Sequence, residues 1–158
     1  MILKYEDNGI QLAYGLLSAF KMHVSIMEDK HSVVDFTGNT CSMIATAPYV
    51  KGNYYGEVKK RNVSSKSFDS DLLEVDKLNN MMAYENGNAK YIYFNIFNDD
   101  IVRIYNLHEI NFNDIPTYVL QCPKSTINNM GNKDKLVKYL PVSLAKTYKI
   151  INGKLKRI

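Results

Sequence analysis

Two charged residues separated by one apolar residue, Glu57 and Lys59, have the types and spacing best suited to catalysis in this chain. They lie in the stretch 54–59, whose composition is typical of a β-strand. Because side chains alternate along a strand, Glu57 and Lys59 project to one face and Val58 to the other. Asp35 ends an apolar run upstream and would bring a second carboxylate from a neighbouring strand. This set can hold Mg²⁺ and polarise a phosphate, which predicts metal-dependent phosphodiester hydrolysis.

The chemistry of these side chains explains the prediction. The carboxylates of Asp35 and Glu57 are hard oxygen ligands that favour Mg²⁺ or Mn²⁺, and such ions also accept the substrate phosphate. Lys59 is expected to orient or help deprotonate the attacking water, or to neutralise charge on the phosphorane. The alternative interpretation is an exposed ion pair on a strand, worth about 0.5 kcal/mol.

The elements that must position these residues follow from periodicity and turn residues. Helices are predicted over about 8–21 and from about Asp69 to Glu85, the second with Asp71 and Glu74 as a capping box. Thr37-Gly38-Asn39 is typical of a turn. Strands are predicted at 22–26, 32–36, 54–59, 91–97 and 101–105. The second helix would connect two parallel strands, so an α/β layered domain with a mixed sheet flanked by helices is expected.

This order, with Asp35, Glu57 and Lys59 on its strands, resembles the PD-(D/E)XK nuclease superfamily, which includes resolvases and phage recombination nucleases. The resemblance covers about residues 8–107 and implies a restriction-endonuclease-like core (α-β-β-β-α-β). It implies that Asp35 is the first acid, Glu57 the second and Lys59 the lysine of the E-x-K element. It also implies that the Val58 carbonyl completes the shell of a bound Mg²⁺ or Mn²⁺.

The chain departs from the family pattern at two places. Val34 replaces the proline that gives the family its name. Many relatives place another carboxylate on the first helix, whereas 8–21 contains no acid, and Glu6, Glu28 and Asp29 are the nearest substitutes.

Three further basic residues are candidates for nucleic-acid binding. Lys60 and Arg61 follow the Glu57 strand and could contact phosphates, and Lys77 lies on the second helix, where relatives often carry a polar residue facing the site. A solvated surface role is the alternative for all three.

Two other polar or aromatic groups have simpler interpretations. Ser64, Ser65 and Ser67 are expected to form a loop and cap the following helix rather than to donate to a DNA backbone. The aromatic set at β spacing is expected to be core rather than a base-stacking surface: Tyr91, Tyr93, Phe94 and Phe97.

The C-terminal third, about 108–158, is interpreted as a basic extension of one single domain spanning 1–158. Its segments 121–126 and 130–135 resemble polar loops. Basic residues then follow with few acids, and they could hold nucleic acid through phosphates or form a solvated surface: Lys138, Lys146, Lys149, Lys154, Lys156 and Arg157.

Bulk composition sets the remaining expectations. The 158 residues carry a formal charge of +4, with 46% hydrophobic and 23% charged residues, as in an ordinary globular domain. No apolar run approaches the roughly 20 residues of a membrane span, so no membrane partner is expected. Cys41 and Cys122 are expected to be free thiols in a cytoplasmic protein, in the host cytoplasm if the chain is phage-encoded.

The sequence therefore predicts a metal-dependent DNA nuclease of phage or mobile-element recombination or repair. One alternative is a nucleic-acid-binding or virion-associated protein on the same fold without catalysis. Another is an unrelated α/β interaction domain. The resemblance also raises a homodimer, because resolvase-like relatives are commonly dimers.

Overall fold

A computed structural model describes residues 23–27, 35–40, 52–83, 90–124, 131–152 and 154–158. Within these ranges the chain forms ten strands, one α-helix and four short 3-10 turns. The helix, α1, spans Val75–Ala83. The strands are β1 (His23–Ile26), β2 (Phe36–Thr40), β3 (Gly52–Lys60), β4 (Ser70–Glu74), β5 (Lys90–Ile96), β6 (Ile101–Asn106), β7 (Thr117–Pro123), β8 (Asn132–Pro141), β9 (Lys146–Ile151) and β10 (Lys154–Arg157).

Seven of these strands form the main sheet, in the order β1-β2-β3-β5-β6-β9-β10. β3 and β5 run parallel, with Glu57 beside Tyr93 and Lys59 beside Asn95, and every other pair in this sheet is antiparallel. The expected mixed sheet with one parallel pair is therefore confirmed. The class is mixed α/β, with strands predominating in the described ranges.

The centre of the main sheet is buried on both faces. β5 and β6 are buried along almost their whole length, as expected of strands covered on two sides. The predicted core aromatics Tyr91, Tyr93, Phe94 and Phe97 are all 5% exposed or less. Their assignment to the core is confirmed.

A second sheet of three strands, in the order β4-β8-β7, lies against the main sheet together with α1. Leu73 of β4, Met81 of α1 and Leu140 of β8 are buried in one cluster with Tyr93 and Tyr105 of the main sheet. These apolar contacts fix β4 and α1 over the face that carries Glu57 and Lys59, since Tyr93 is the register partner of Glu57.

The predicted helix from about Asp69 to Glu85 and its capping box are wrong in part. Residues 70–74 form β4, which alternates between half-buried and buried positions, and the helix begins only at Val75. Asp71 is not a cap: its carboxylate is buried and accepts hydrogen bonds from Arg103 Nη1 (3.0 Å) and Tyr105 Oη (2.6 Å). These partners on β6 are distant in sequence, and pairing with β8 outweighs local helix propensity.

The predicted turn at Thr37-Gly38-Asn39 is also wrong. These residues lie in β2, where Gly38 pairs with Val24 of β1 on one side and Tyr54 of β3 on the other. Backbone pairing on both sides therefore decides the conformation of this Gly-Asn pair. The predicted first helix, residues 28–34 and most of 40–52 lie outside the described residues.

The C-terminal third is built from strands. Gln121–Pro123 lies in β7 and Asn132–Lys135 in β8, so the predicted polar loops are wrong at these residues, while 125–130 lie outside the described ranges. β8 pairs with β4, and β9 pairs with β6 in the main sheet. No helix in the described ranges has the length and apolar character needed to cross a membrane.

Candidate active site

β3 places Glu57 and Lys59 on one face of the main sheet, as the alternation of the sequence predicts. The Glu57 side chain is 1% exposed, and Lys59 Nζ lies 2.9 Å from Glu57 Oε1. Burial distinguishes this pair from an exposed strand ion pair, because an ionised carboxylate inside a protein is costly without charged or hydrogen-bonding partners.

Asp35, the residue immediately before β2, contacts the same stretch of β3. Its N–H donates to the Gly56 carbonyl at 2.7 Å, and its Oδ2 accepts a hydrogen bond from Val58 N–H at 2.7 Å. The N–H and C=O of one strand residue point to the same neighbour, so the Val58 carbonyl faces the edge where the Asp35 carboxylate lies. Both carboxylates and the Val58 carbonyl therefore gather at the point where β2 stops pairing with β3.

The carboxyl of Asp35 is held in an unfavourable electrostatic environment. Burial and then repulsion from Glu57 raise its pKa from 3.8 to about 6, against the opposing influence of Val58 N–H, Lys77 and Lys59. The two acids are thus close enough to interact strongly. Adjacent carboxylates with a raised pKa are a favourable location for a divalent cation, whose charge removes the repulsion.

Lys77 extends from α1 to the other oxygen of Glu57. Its Nζ lies 3.0 Å from Glu57 Oε2, and its side chain is 31% exposed. The contact is ionic, since Oε2 receives no hydrogen bond of good geometry from any described residue. The helix therefore presents Lys77 to the site, and we name the set Asp35, Glu57, Lys59 and Lys77 the β3 site.

Lys59 remains charged throughout the physiological range. Burial acts to lower the pKa of its ammonium group, but the charge of Glu57 and their hydrogen bond outweigh it, so the pKa lies above the ordinary 10.5. The side chain is 42% exposed, so its pairing with Glu57 outweighs its partial burial. A charged Lys59 suits charge stabilisation and orientation of water better than proton abstraction.

The donor set of the β3 site fits Mg²⁺ or Mn²⁺. Two carboxylates and one backbone carbonyl are hard oxygen ligands, and Glu57 Oε2 is a buried oxygen without a hydrogen bond. No group of three or more His, Cys, Asp or Glu side chains suited to a metal occurs in the described ranges. Asp35, Glu57 and Val58 would therefore share the cation with water and phosphate oxygens.

The other two basic candidates, Lys60 at the end of β3 and Arg61 just after it, do not contact Glu57 as Lys77 does in the contacts described. Arg61 is engaged internally: its Nε donates to Asn95 Oδ1 at 2.8 Å, and its Nη2 donates to Leu72 O and Tyr93 Oη. These bonds engage Nε and Nη2 of the guanidinium with acceptors inside the protein rather than with a phosphate. Lys60 is exposed and lies on the opposite strand face from Lys59. Phosphate contact by either residue stays a prediction.

Two groups of residues behind the site were not singled out for it by sequence reasoning. Tyr93 Oη donates to Leu72 O at 2.9 Å and so connects β5 to β4, and burial, with smaller influences from nearby charges, raises its pKa to about 12. The buried Asp71 carboxylate of β4 forms an ion pair with Arg103 and accepts a hydrogen bond from Tyr105 Oη. Tyr93 is the register partner of Glu57 in the parallel pair of β3 and β5. Sequence reasoning could have connected Tyr93 with the site only if this pairing had been known.

The serine-rich segment after β3 is a structural loop. Asp99 Oδ2 accepts hydrogen bonds from Ser64 Oγ, Ser65 N–H and Ser65 Oγ at 2.8–2.9 Å. Burial acts to raise the pKa of Asp99, and these hydrogen bonds outweigh it, so the pKa is lowered. Ser64 also caps the short 3-10 turn Ser65–Ser67. The expected loop is confirmed at Ser64, but the prediction that these serines cap the following helix is wrong, since that helix begins at Val75, after β4.

The C-terminal cations divide into internal and exposed groups. Lys138 Nζ donates to the carbonyls of Phe112 and Ile115, and Lys135 Nζ lies 3.0 Å from Glu74 Oε2. Lys149 and Lys156 are exposed and stand directly opposite each other on β9 and β10. Among the described side chains of this C-terminal set, Lys149, Lys156 and Arg157 are exposed and accessible to an outside anion.

Comparison with known proteins assigns no family to this geometry. The function of the chain is therefore inferred from the geometry and chemistry of the β3 site. A scan against protein-family models finds no match to the chain, and a search of curated proteins finds no significant relative.

Proposed function

We propose that this chain is a metal-dependent nuclease that hydrolyses phosphodiester bonds in DNA, of the PD-(D/E)XK type. One observation carries the proposal: a buried Glu57 paired with two lysines lies beside an Asp35 carboxyl whose pKa is raised to about 6 by burial and by Glu57. Repulsive acids with flanking cations are poorly explained by stability alone, because the arrangement costs folding free energy.

The carboxylates of Asp35 and Glu57 and the carbonyl of Val58 would hold Mg²⁺ or Mn²⁺ beside the N-terminal end of β2. When bound, the cation supplies Lewis acidity toward a phosphate oxygen and lowers the pKa of a coordinated water. The protein contributes the fixed placement of the oxygens: Asp35 is held by Val58 N–H, and Glu57 is held by Lys59 and Lys77.

Lys59 provides positive charge beside the scissile phosphate. Its raised pKa keeps it protonated, so it would donate a hydrogen bond to the phosphate or to the attacking water. Lys77 would orient Glu57 from the helix side. The resemblance implies a product with a 5′ phosphate.

The test is cleavage of a panel of supercoiled plasmid, linear duplex, single strand and four-way junction with Mg²⁺ or Mn²⁺. Glu57→Gln preserves side-chain shape and removes the charge, so we expect it to abolish cleavage. Lys133→Gln, at an exposed lysine on β8, serves as the control and should cleave normally. Absence of cleavage by the folded wild type on every substrate, or normal cleavage by Glu57→Gln, would contradict the proposal.

A second candidate function is nucleic-acid binding on the same fold without catalysis. One observation favours it: a lysine Nζ lies within 3.0 Å of each Glu57 oxygen, so the lysines already neutralise the acid. Binding of Mn²⁺, followed by electron paramagnetic resonance or calorimetry, separates the two. A nuclease site binds Mn²⁺ and loses it in Glu57→Gln, whereas a site neutralised by lysines binds none.

By resemblance, the proposed setting is phage or mobile-element recombination or repair, in the cytoplasm of the host. The proposed substrates are DNA shapes, branches or ends rather than a long base sequence. The substrate panel decides among these.

A further inference from the structure

β7 forms the outer edge of the three-stranded sheet. Within the described residues, β7 pairs with β8 on one side and with no strand on the other. Five of its seven residues are exposed, and Tyr118 and Val119 expose 51% and 66% of their side chains. An edge of this kind offers backbone hydrogen bonds to a further strand.

The register determines which backbone groups of β7 face outward. Lys124 N–H donates to the Gly131 carbonyl, so the even-numbered residues of the strand direct their N–H and C=O toward β8. The odd-numbered residues, Thr117, Val119 and Gln121, therefore direct theirs to the outer edge. Pro123 contributes an outward carbonyl and no donor.

Within β7 itself, the usual protection of an edge against pairing is confined to Pro123, its last residue. Natural edge strands carry lysines, prolines or bulges that prevent association. Thr117–Cys122 contains no charged residue and no proline. Apolar side chains on β8 lie exposed beside both faces of β7: Leu136 at 49%, opposite Val119, and Tyr139 at 37%, in ring contact with Tyr118.

We propose that β7 pairs with β7 of a second copy of this chain, antiparallel, about a two-fold axis through Leu120. This register places Val119 opposite Gln121 of the partner chain, and these outward-facing residues can exchange both hydrogen bonds twice across the axis. With one bond from each Thr117 to the opposite Pro123 carbonyl, about six hydrogen bonds form. The result is a continuous six-stranded sheet.

A second copy suits this edge better than an unrelated partner because the strand is complementary to itself. A two-fold interface sets each residue against a fixed counterpart, and an uncharged strand meets no repulsion there. Tyr118 and Val119 lose exposed area on opposite faces of the joined sheet. The inference stands apart from the nuclease proposal, since it uses no residue of the β3 site.

The first test is the mass of the protein in solution by sedimentation velocity across micromolar concentrations. We expect a dimer. Val119→Lys adds a charge at the interface, and Gln121→Pro removes an outward N–H while leaving the β8 ladder intact. Both should give monomers with unchanged circular dichroism, and Leu144→Lys, at a residue 44% exposed outside the sheets, should remain dimeric. A monomeric wild type, or dimers in both edge variants, would overturn the proposal.

Cross-linking tests the register even if an edge variant folds poorly. In a background with Cys41→Ser and Cys122→Ser, Leu120→Cys places the two thiols opposite each other at a non-hydrogen-bonded pair. Their Cα atoms would be about 4.5 Å apart, within disulfide range. Mild oxidation should give a covalent dimer rapidly for Leu120→Cys and slowly for Val119→Cys, whose counterpart is Gln121. Equal rates, or no cross-link in either, would refute the two-fold register.

Discussion

Asp35 is the residue at which stability and proposed function conflict most directly. Its carboxyl is ionised at neutral pH against both burial and the charge of Glu57, although its ordinary pKa is far below 7. The sequence predicted its partnership with Glu57 from strand alternation and an upstream acid. It did not predict the hydrogen bond from Val58 N–H, because that contact depends on where β2 stops pairing.

We predict that Asp35→Asn stabilises the fold at pH 7 and abolishes cleavage. A neutral amide can keep the bond from Val58 N–H and removes the repulsion, so the free energy of unfolding should rise by about 1–3 kcal/mol. The folded pKa is raised from 3.8 to about 6, so the wild type loses stability as pH rises through that window. The advantage of the variant should therefore shrink as pH falls from 7 to 4.

Thermal melts of both proteins across this pH range give the comparison. A variant that is less stable than the wild type at pH 7 would mean that the carboxylate is a net stabilising group. Mg²⁺ supplies a second readout: it should raise the melting temperature of the wild type and leave that of Asp35→Asn unchanged.

Lys59 provides the second prediction at this scale. Lys59→Ala should reduce cleavage by about 100-fold or more while leaving the fold and Mn²⁺ binding largely intact, because Lys77 still neutralises Glu57. Single-turnover cleavage and Mn²⁺ titration measure the two effects separately, with Lys133→Ala on β8 as the control. Unchanged cleavage would remove Lys59 from the mechanism.

At the scale of elements, β4 is what the sequence could not predict. Asp71-x-x-Glu74 satisfies a local helix-start pattern, but Asp71 is bound by Arg103 and Tyr105 and Leu73 is buried against the main sheet. β3, β5 and β6 were predictable because their apolar and alternating patterns are complete within each strand. The assignment of 70–74 depends on β8, and its partners there lie more than 60 residues later.

Arg61 connects these elements, and its replacement should affect stability more than substrate binding. Arg61→Met removes hydrogen bonds to Asn95, Tyr93 and the Leu72 carbonyl, so we expect a loss of about 2–4 kcal/mol in the free energy of unfolding. Urea denaturation measures the loss, with Lys133→Met on β8 as an exposed control that should change little. Unchanged stability with weakened DNA binding would instead assign Arg61 to phosphate contact.

At the scale of the whole molecule, the fold determines which basic side chains of the C-terminal third are exposed and which are engaged internally. No acid follows Asp134 in the sequence, which suggested one basic region. Lys135 and Lys138 are engaged internally, whereas Lys149 and Lys156 face each other without an ion pair to any described residue. Opposed lysines repel, and a nearby phosphate would relieve that repulsion. Arg157 lies opposite Tyr148, on the other face of the hairpin.

We predict that Lys149→Gln combined with Lys156→Gln weakens DNA binding and flattens its salt dependence. If both lysines contact phosphates, the slope of log affinity against log salt should fall in magnitude by about 2. Fluorescence anisotropy in the presence of a chelator measures binding without cleavage. Lys124→Gln with Lys133→Gln, two exposed lysines on the β7–β8 hairpin, is the control, and an identical slope in the test variant would exclude this surface.

The pairing of β4 with β8 also sets an order of events during synthesis. Leu72 of β4 supplies the carbonyl that fixes Arg61 and Tyr93, yet β4 gains its strand partner only when Tyr139 and its neighbours have been made. Because a chain leaves the ribosome from its N-terminus and distant pairings close late, the support behind Glu57 is among the last parts to assemble. A nascent chain therefore carries Asp35, Glu57 and Lys59 without this support until β8 has been made.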